Sequence, residues 1–460
     1  MNDCLKTALL CAGAVLFTIG CAARDRGPEK PNVVLLVIDT LRHDRLSSYG
    51  YAHETSPFLD ELADAGARFT SAYSPSSWTS PATASLLTST YPFQNGVVLN
   101  LHSIQLMQTK SIEIDINRIP DEAETLAEMM KRAGYVTYGL ADNINVSEAM
   151  GFEAGFDLFQ TEEYIGAGKI AAIARSWGDE LRGLEDPYFL YLHFMDPHVP
   201  YHRKQPWFDQ FIDERDDVTQ ADAAKELIVN PSVPNPILEV AYDSEIRYLD
   251  ETLRALFADL EIDENTLLIV VGDHGEEFWE HGKVGHGQSL YDELIRVPLF
   301  VYGPGCGVPG GRVIDGDASL LDVIPTIAER IGVEPPPKAQ GRSFWTAMRK
   351  GKALEERTLY AHLVRKSAEH IGAFDLTLFG VLTPEYKFLH SSRGEKKLFD
   401  RAADPGEKQN LSFAKKDRTA EFTKIVKAIE GAGTLFDAES APVTLDSTQI
   451  EHLKALGYID

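Results

Sequence analysis

The strongest constraint on this 460-residue chain is an uninterrupted run, Asn32-Val33-Val34-Leu35-Leu36-Val37-Ile38, that stops on Asp39. A strand with one face in water alternates apolar and polar residues. An unbroken aliphatic run therefore predicts a strand covered on both faces, as in a parallel sheet. The same grammar recurs. Val136 to Leu140 follows a helix stopped by Gly134, Tyr188 to His193 leads into Met195-Asp196-Pro197-His198, and Leu267 to Gly272 ends at Asp273-His274. Between these runs lie helical periods such as Ile246, Leu249, Leu253, Leu256 and Leu260. Strands alternating with helices predict an α/β sandwich around a mostly parallel sheet. Residues able to do chemistry gather just past the strands' carboxyl ends, where open sheets of this kind hold ligands.

Domain organisation follows from where the pattern changes. Residues 32–349 carry the strand-helix alternation and read as the main domain. From about residue 350 the chain turns to short β-rich pieces, Thr358 to His362, Leu376 to Leu382 and Tyr386 to Ser391. They predict a small antiparallel C-terminal subdomain over 350–425, followed by a tail over 426–460. Arg203 to Pro236 is polar, Asp-rich and Pro-containing, and reads as a surface insertion near the site mouth, placed to serve as a substrate-facing lid.

The N-terminus has the layout of an export signal: Lys6, an apolar run from Leu9 to Ile19, then Gly20-Cys21-Ala22-Ala23. That run is too short to span a bilayer. Gly20 before Cys21 resembles a bacterial lipoprotein processing site, although Thr18 stands where a Leu is usual. The expectation is a signal over 1–20, a lipid on Cys21, a tether over 21–31, and export to the periplasm or outer membrane; an uncleaved anchor and plain secretion are the other readings. Of Cys4, Cys11, Cys21 and Cys306, only Cys306 then remains as a free thiol, so no intramolecular disulfide is expected.

With 44% hydrophobic and 25% charged residues the chain can build an ordinary core. Its 44 basic and 70 acidic residues leave a net charge of −26, which argues against nucleic acid and anionic lipid surfaces as partners. An anionic small molecule stays open, because a metal or a local basic pocket overrides the mean field.

Two clusters carry chemistry. Asp39 and the pair Asp273-His274 are oxygen and imidazole donors at strand ends, which is how a divalent metal is usually held. His281 and His286 follow in a Gly-rich loop. The second cluster is Thr79-Ser80-Pro81 before an Ala/Leu run, with Thr79 at the expected N-cap of a helix. A hydroxyl there faces the positive end of the helix dipole, which favours an alkoxide or a bound oxyanion.

These segments, Pro31 to Arg42 and Thr79-Ser80-Pro81 leading into Ala84-Ser85-Leu86-Leu87-Thr88 and Tyr91-Pro92, resemble the sulfatase family of the alkaline phosphatase superfamily. Further matches follow in order: Asp196-Pro197-His198-Val199-Pro200-Tyr201, Asp273-His274-Gly275-Glu276, Tyr291-Asp292-Glu293 with Arg296-Val297-Pro298-Leu299, Asp322 to Thr326, and Leu398-Phe399-Asp400. The similarity extends over about residues 31 to 412. It implies an alkaline-phosphatase-like sandwich with a small antiparallel C-terminal subdomain, and an ester hydrolase that uses one divalent metal ion: Mn, Zn, Mg or Ca. By residue-for-residue carry-over the metal set is Asp39, Thr79, Asp273 and His274, and the anion-contacting residues are His198 and His286.

Two departures sharpen the expectation. Sulfatases of the usual kind carry a Cys or Ser, converted to formylglycine, where Thr79 stands, and an Arg where Thr83 stands. The family's paired metal-binding Asp is incomplete as well, since Thr40 follows Asp39. A Thr nucleophile resembles the phosphoethanolamine and phosphoglycerol transferases, lipoteichoic acid synthases and nucleotide phosphodiesterases of the superfamily. Thr79 is expected to attack phosphorus or sulfur in line, with His198 or His286, titrating near neutrality, assisting. The substrate expected is an anionic ester, a small molecule or a glycan or lipid head group. Phosphate or phosphonate is favoured over sulfate, because a sulfated Thr lacks the carbonyl-forming exit of a formylglycine hydrate. The other readings are a sulfate ester hydrolase without formylglycine, a phospholipid head-group transferase and a catalytically decayed lipoprotein.

Overall fold

The computed structural model describes residues 30–99, 113–230, 232–365, 376–436 and 440–444. The expected signal over 1–20, Cys21, most of the tether and the end of the tail lie outside the described residues.

Eight strands build the main sheet: β1 (Asn32–Ile38), β2 (Ala67–Tyr73), β3 (Val136–Ala141), β4 (Leu158–Thr161), β5 (Tyr188–Phe194), β6 (Thr266–Gly272), β7 (Leu299–Tyr302) and β8 (Arg312–Ser319), with the short Arg296–Val297 on the outer edge of β2. Across the sheet the order is β2-β7-β6-β1-β5-β3-β4, with β8 beside β2. The block β6-β1-β5-β3-β4 is wholly parallel, while β7 runs antiparallel to β6. A mostly parallel sheet is what the apolar runs require.

The residues of β1 divide between two cores. Val33, Leu35 and Val37 pack with Leu86 and Leu87 of the helix Thr79–Thr88 and with Ile324 and Ile327 of the helix Val323–Ile331. Val34, Leu36 and Ile38 face Ile246, Leu249 and Leu253 of the helix Ile237–Asp259. Both faces are therefore dry, and Val33 to Ile38 are 0% exposed. Burying aliphatic side chains of this size contributes about 1.5–3 kcal/mol each against the entropy of ordering the chain.

The region from Arg203 to Pro236 is more integrated than a surface insertion. Phe208, Phe211 and Ile212 of the helix Trp207–Glu214 are buried in the second core, on the helix Ile237–Asp259. The polar composition of the segment hid these three apolar anchors.

The C-terminal sheet is an antiparallel meander of β9 (Leu359–Arg365), β10 (Leu376–Leu382), β11 (Tyr386–Ser391) and β12 (Lys396–Asp400). One face packs on Tyr73, Trp78, Leu290 and Leu294 from the segments around the main sheet; the other is covered by Phe422 and Val426 of the helix Lys416–Ala432. Between the two parts the buried Lys387 Nζ lies 2.7 Å from Asp292 and 2.9 Å from Glu407, so its charge is paired where it is dry. Among the described residues no helix is long and apolar enough to cross a membrane.

Candidate active site

Register brings the two strand-end carboxylates together. Ile38 pairs with Gly272, so Asp39 and Asp273 are the next residues out of two adjacent parallel strands. At the same strand ends His274 directs Nε2 at both, 3.6 Å from Asp39 Oδ1 and 3.7 Å from Asp273 Oδ2. Its Nδ1 donates to the Gly275 carbonyl at 2.9 Å, which leaves the Nε2 lone pair for a metal or a proton. Thr79 Oγ1 completes the group at 3.3 Å from Asp39 Oδ2 and 3.3 Å from His274 Nε2. All four side chains are buried.

Asp39, Asp273 and His274 form a group in which one donor atom from each lies within 4.8 Å of the others. Asp39 Oδ1 and Asp273 Oδ2 are buried without a hydrogen-bond partner. An orphaned buried carboxylate oxygen is costly, and two that converge on one point fit a divalent cation. Electrostatics agree. Burial pushes Asp39 up, but the hydrogen bond from His193 and the surrounding imidazoles outweigh it and hold Asp39 below the usual carboxylate range. Burial and the neighbouring charge of Asp39 push Asp273 well above that range. A dry site of this kind does not hold two negative charges side by side without a counter-cation.

Thr40 shows how the backbone serves the site where the second Asp of the family is missing. It has φ 56°, in the left-handed region that a β-branched residue rarely enters. That turn directs its N–H at Asp273 Oδ1, 3.2 Å away, while its carbonyl accepts from the Tyr242 hydroxyl at 2.7 Å.

Thr79 begins the helix Thr79–Thr88 as its first helical residue, and Trp78 occupies the cap without a side-chain cap bond. The cap thus lies one residue before the expected position, on the extended backbone of Trp78, and the Thr79 hydroxyl is engaged by Asp39 and His274. Thr83, where the family carries an Arg, is buried with an unpartnered hydroxyl.

The imidazoles of His198 and His286 stand with ring centres 4.8 Å apart, and His286 is 4.7 Å from His274. His198 Nδ1 donates to the Val199 carbonyl. His286 Nδ1 is 3.0 Å from Glu276 Oε1, and Glu276 Oε2 accepts from the Tyr201 hydroxyl at 2.8 Å. Burial lowers His286 to about 3, with His274 adding to the effect, and lowers His198 to about 4 against the attraction of Asp39. The near-neutral titration expected of these residues is therefore not what the enclosed protein site produces; both rings are neutral at pH 7.

His281, singled out with His286 in the sequence, stays apart. Its Nδ1 lies 2.6 Å from Glu293 Oε1 and its ring stacks on Tyr291 at 3.5 Å. Several further side chains support the site. Asn143 Nδ2 donates to Asp39 Oδ2 at 2.7 Å; His193 Nε2 is 3.3 Å from the same oxygen, and its Nδ1 is 2.8 Å from the Tyr191 hydroxyl. His193 closes one of the apolar runs and Glu276 follows Asp273-His274-Gly275, so both had a signal at a strand end. Asn143 and Tyr191 had none.

The family model of sulfatases matches residues 31–333, and the model of the C-terminal region of N-sulphoglucosamine sulphohydrolase matches residues 280–432. The chain belongs to the sulfatase family. A sulfatase of Formosa agariphila is 23% identical, with 82% of this chain and 82% of that protein covered. A multifunctional alkaline phosphatase superfamily protein of Trinickia caryophylli is 25% identical, with 83% of this chain and 91% of that protein covered. The phosphonate monoester hydrolase of Agrobacterium radiobacter shares the fold at a TM-score of 0.69 and 18% identity, with 87% and 96% covered. This sulfatase-family chain is thus an ester-bond hydrolase of the alkaline phosphatase superfamily.

Proposed function

We propose that this sulfatase-family hydrolase cleaves phosphate or phosphonate esters through a covalent ester on Thr79. The observation that carries the reading is Thr79 Oγ1 placed 3.3 Å from both Asp39 Oδ2 and His274 Nε2, at the head of a helix. A threonine carries a methyl on Cβ and has no route to formylglycine, so its hydroxyl must itself be the attacking group.

Asp39, Asp273, His274 and the Thr79 hydroxyl would hold one divalent cation, which when bound polarises the ester oxygen and lowers the proton affinity of that hydroxyl. The chain's own part follows from its contacts. The Thr79 hydroxyl donates to Asp39 Oδ2, which orients Oγ1; as Oγ1 forms the new bond to phosphorus, its proton is released to water and the bond to the departing alkoxide breaks. His198 and His286 face the anion; its charge raises their proton affinity, so that one of them holds the proton which the departing oxygen takes. Glu276 keeps the His286 ring in place. Water then attacks phosphorus and leaves one proton on the imidazole that protonated the departing oxygen, while the bond from phosphorus to Thr79 Oγ1 breaks and Oγ1 takes up a proton from water to regain its hydroxyl. A phosphorylated Thr allows this second displacement, whereas a sulfated Thr requires attack at sulfur or at carbon.

A sulfate ester is the second reading, supported by the sulfatase of Formosa agariphila among the relatives. Chromogenic phosphate mono- and diesters, phosphonates and sulfate esters assayed with Mn²⁺, Zn²⁺, Mg²⁺ and Ca²⁺ decide between them. The phosphorus esters are expected to turn over fastest, and Thr79→Ala to lose about 10³-fold or more of kcat. Fastest turnover of sulfate esters selects the second reading; full activity of Thr79→Ala on every ester removes the nucleophile assignment. We infer also that Cys21 carries a lipid after export. Cys21→Ser should then move the protein from the membrane to the soluble fraction, and an unchanged distribution rejects the anchor.

A further inference from the structure

Between the hairpin loop that carries His286 and the inward face of the C-terminal sheet lies a cavity of about 250 Å³. None of Asp39, Thr79, His198, Asp273, His274 or His286 lines it. Its floor is apolar, formed by Leu290, Leu378 and Leu389, and its rim carries Lys283, Arg393 and Lys397. Register adds Arg365 to this face, since Arg365 lies directly across from Leu376 and Lys397 across from Leu389.

The charges around this cavity do not balance. Lys397 is paired with Glu395 at 3.1 Å and donates to the Tyr291 hydroxyl. The other lining carboxylate, Glu277, is occupied by the backbone N–H groups of His281 and Lys283 and by Gln288. Lys283, Arg365 and Arg393 have no ion-pair partner among the described residues. Burial and then Arg365 hold Lys283 below the usual lysine range, and burial and then Arg393 do the same to Arg365. All three are exposed, and together with Lys397 they outnumber Glu277 and Glu395 at the cavity, a local excess of cations that favours an anion in a protein of net charge −26.

We propose that this cavity binds a small anionic amphiphile, a carboxylate, sulfate or phosphate head on an apolar body, with the body on Leu290, Leu378 and Leu389 and the head among Lys283, Arg365 and Arg393. The apolar floor selects against bare inorganic anions, and the cationic rim selects against neutral amphiphiles. The site is not remote from the chemistry. Ser77 donates to the Ser289 carbonyl at 2.7 Å, so the loop that walls the cavity is bonded to the segment two residues before Thr79.

Calorimetric titration of the full chain with octanoate, which has no ester to cleave, tests the proposal. Octanoate is expected to bind, and the Lys283→Gln/Arg393→Gln double variant to bind it about tenfold or more weakly while kcat/KM on a chromogenic ester is unchanged. Leu378→Asp, which leaves the cations and places a carboxylate on the floor, is expected to abolish binding. 1-Octanol and inorganic sulfate are expected to bind far more weakly than octanoate. No octanoate binding, an affinity indifferent to the double substitution, or 1-octanol or sulfate binding as tightly as octanoate would each overturn the proposal.

Discussion

Asp39 and Asp273 leave neighbouring parallel strands at the same level, Ile38 paired with Gly272, and each keeps one buried oxygen without a hydrogen-bond partner. The two carboxylates repel in a dry pocket unless a cation lies between them, and this relationship has opposite consequences with and without the ion.

Chelation is expected to abolish activity and lower Tm. An ion at about 100 times its Kd contributes about 2.7 kcal/mol to stability. Asp273→Asn removes the repulsion and a ligand together. The variant should therefore melt above the parent protein in chelator and below it in saturating ion. Calorimetric scans in both conditions check the crossover, and a variant that melts lower in both would show that Asp273 is no more than a packing residue.

Glu276 bridges the Tyr201 hydroxyl and His286 Nδ1 from full burial. Outer partners of this kind usually contribute about 10–100-fold to activity. Glu276→Gln keeps the volume and one acceptor oxygen, so kcat should fall by about that factor with KM nearly unchanged. Steady-state kinetics beside a thermal melt separate positioning from stability; a normal kcat discards the role.

Gly287 has φ +70°, and a Cβ added there would lie 2.2 Å from the Trp78 ring, the residue preceding Thr79. Gly287→Ala must displace the indole or the loop, at about 1–3 kcal/mol for overpacking. The expected outcome is a lower Tm together with a loss of activity larger than any change in substrate affinity. Retention of both would show that the loop yields freely.

His362 is buried beside Phe379 and Phe93, and burial alone lowers its pKa to about 4. The unfolded chain therefore binds a proton between pH 6.5 and 4 that the folded chain refuses. Stability from this group is complete above pH 6.5 and falls with pH through about 4, by about 3 kcal/mol over the window. His362→Phe should flatten this part of the curve in urea unfolding measured across pH, and parallel curves for the two proteins would contradict the assignment.

The local order of the chain was legible before any tertiary contact was known. Unbroken runs such as Val33 to Ile38 are legible as strands because burial on both faces leaves no polar alternation to obscure them. Asp39, Asp273 and His274 stand out because each closes such a run, and Thr79 because a Pro two residues later marks a helix start. Where polar residues surround a few apolar anchors, as around Phe208, Phe211 and Ile212, composition misleads. The periodicity of the segment is too short to rise above it.

Long-range geometry belonged to the tertiary structure. No local pattern places Gly272 beside Ile38, directs Glu276 at His286, or lays His193 and Asn143 on Asp39, since these contacts join residues far apart in the chain through packing of the two cores. The proton affinities follow the same division. Histidine type alone points to titration near neutrality; only the enclosure that strips water from His198 and His286 lowers them to about 4 and about 3. Sequence supplies the chemical groups and the strand ends on which they stand. The fold decides which of them meet, and how dry the meeting place is, because both depend on distances and solvent exclusion that a linear order does not encode.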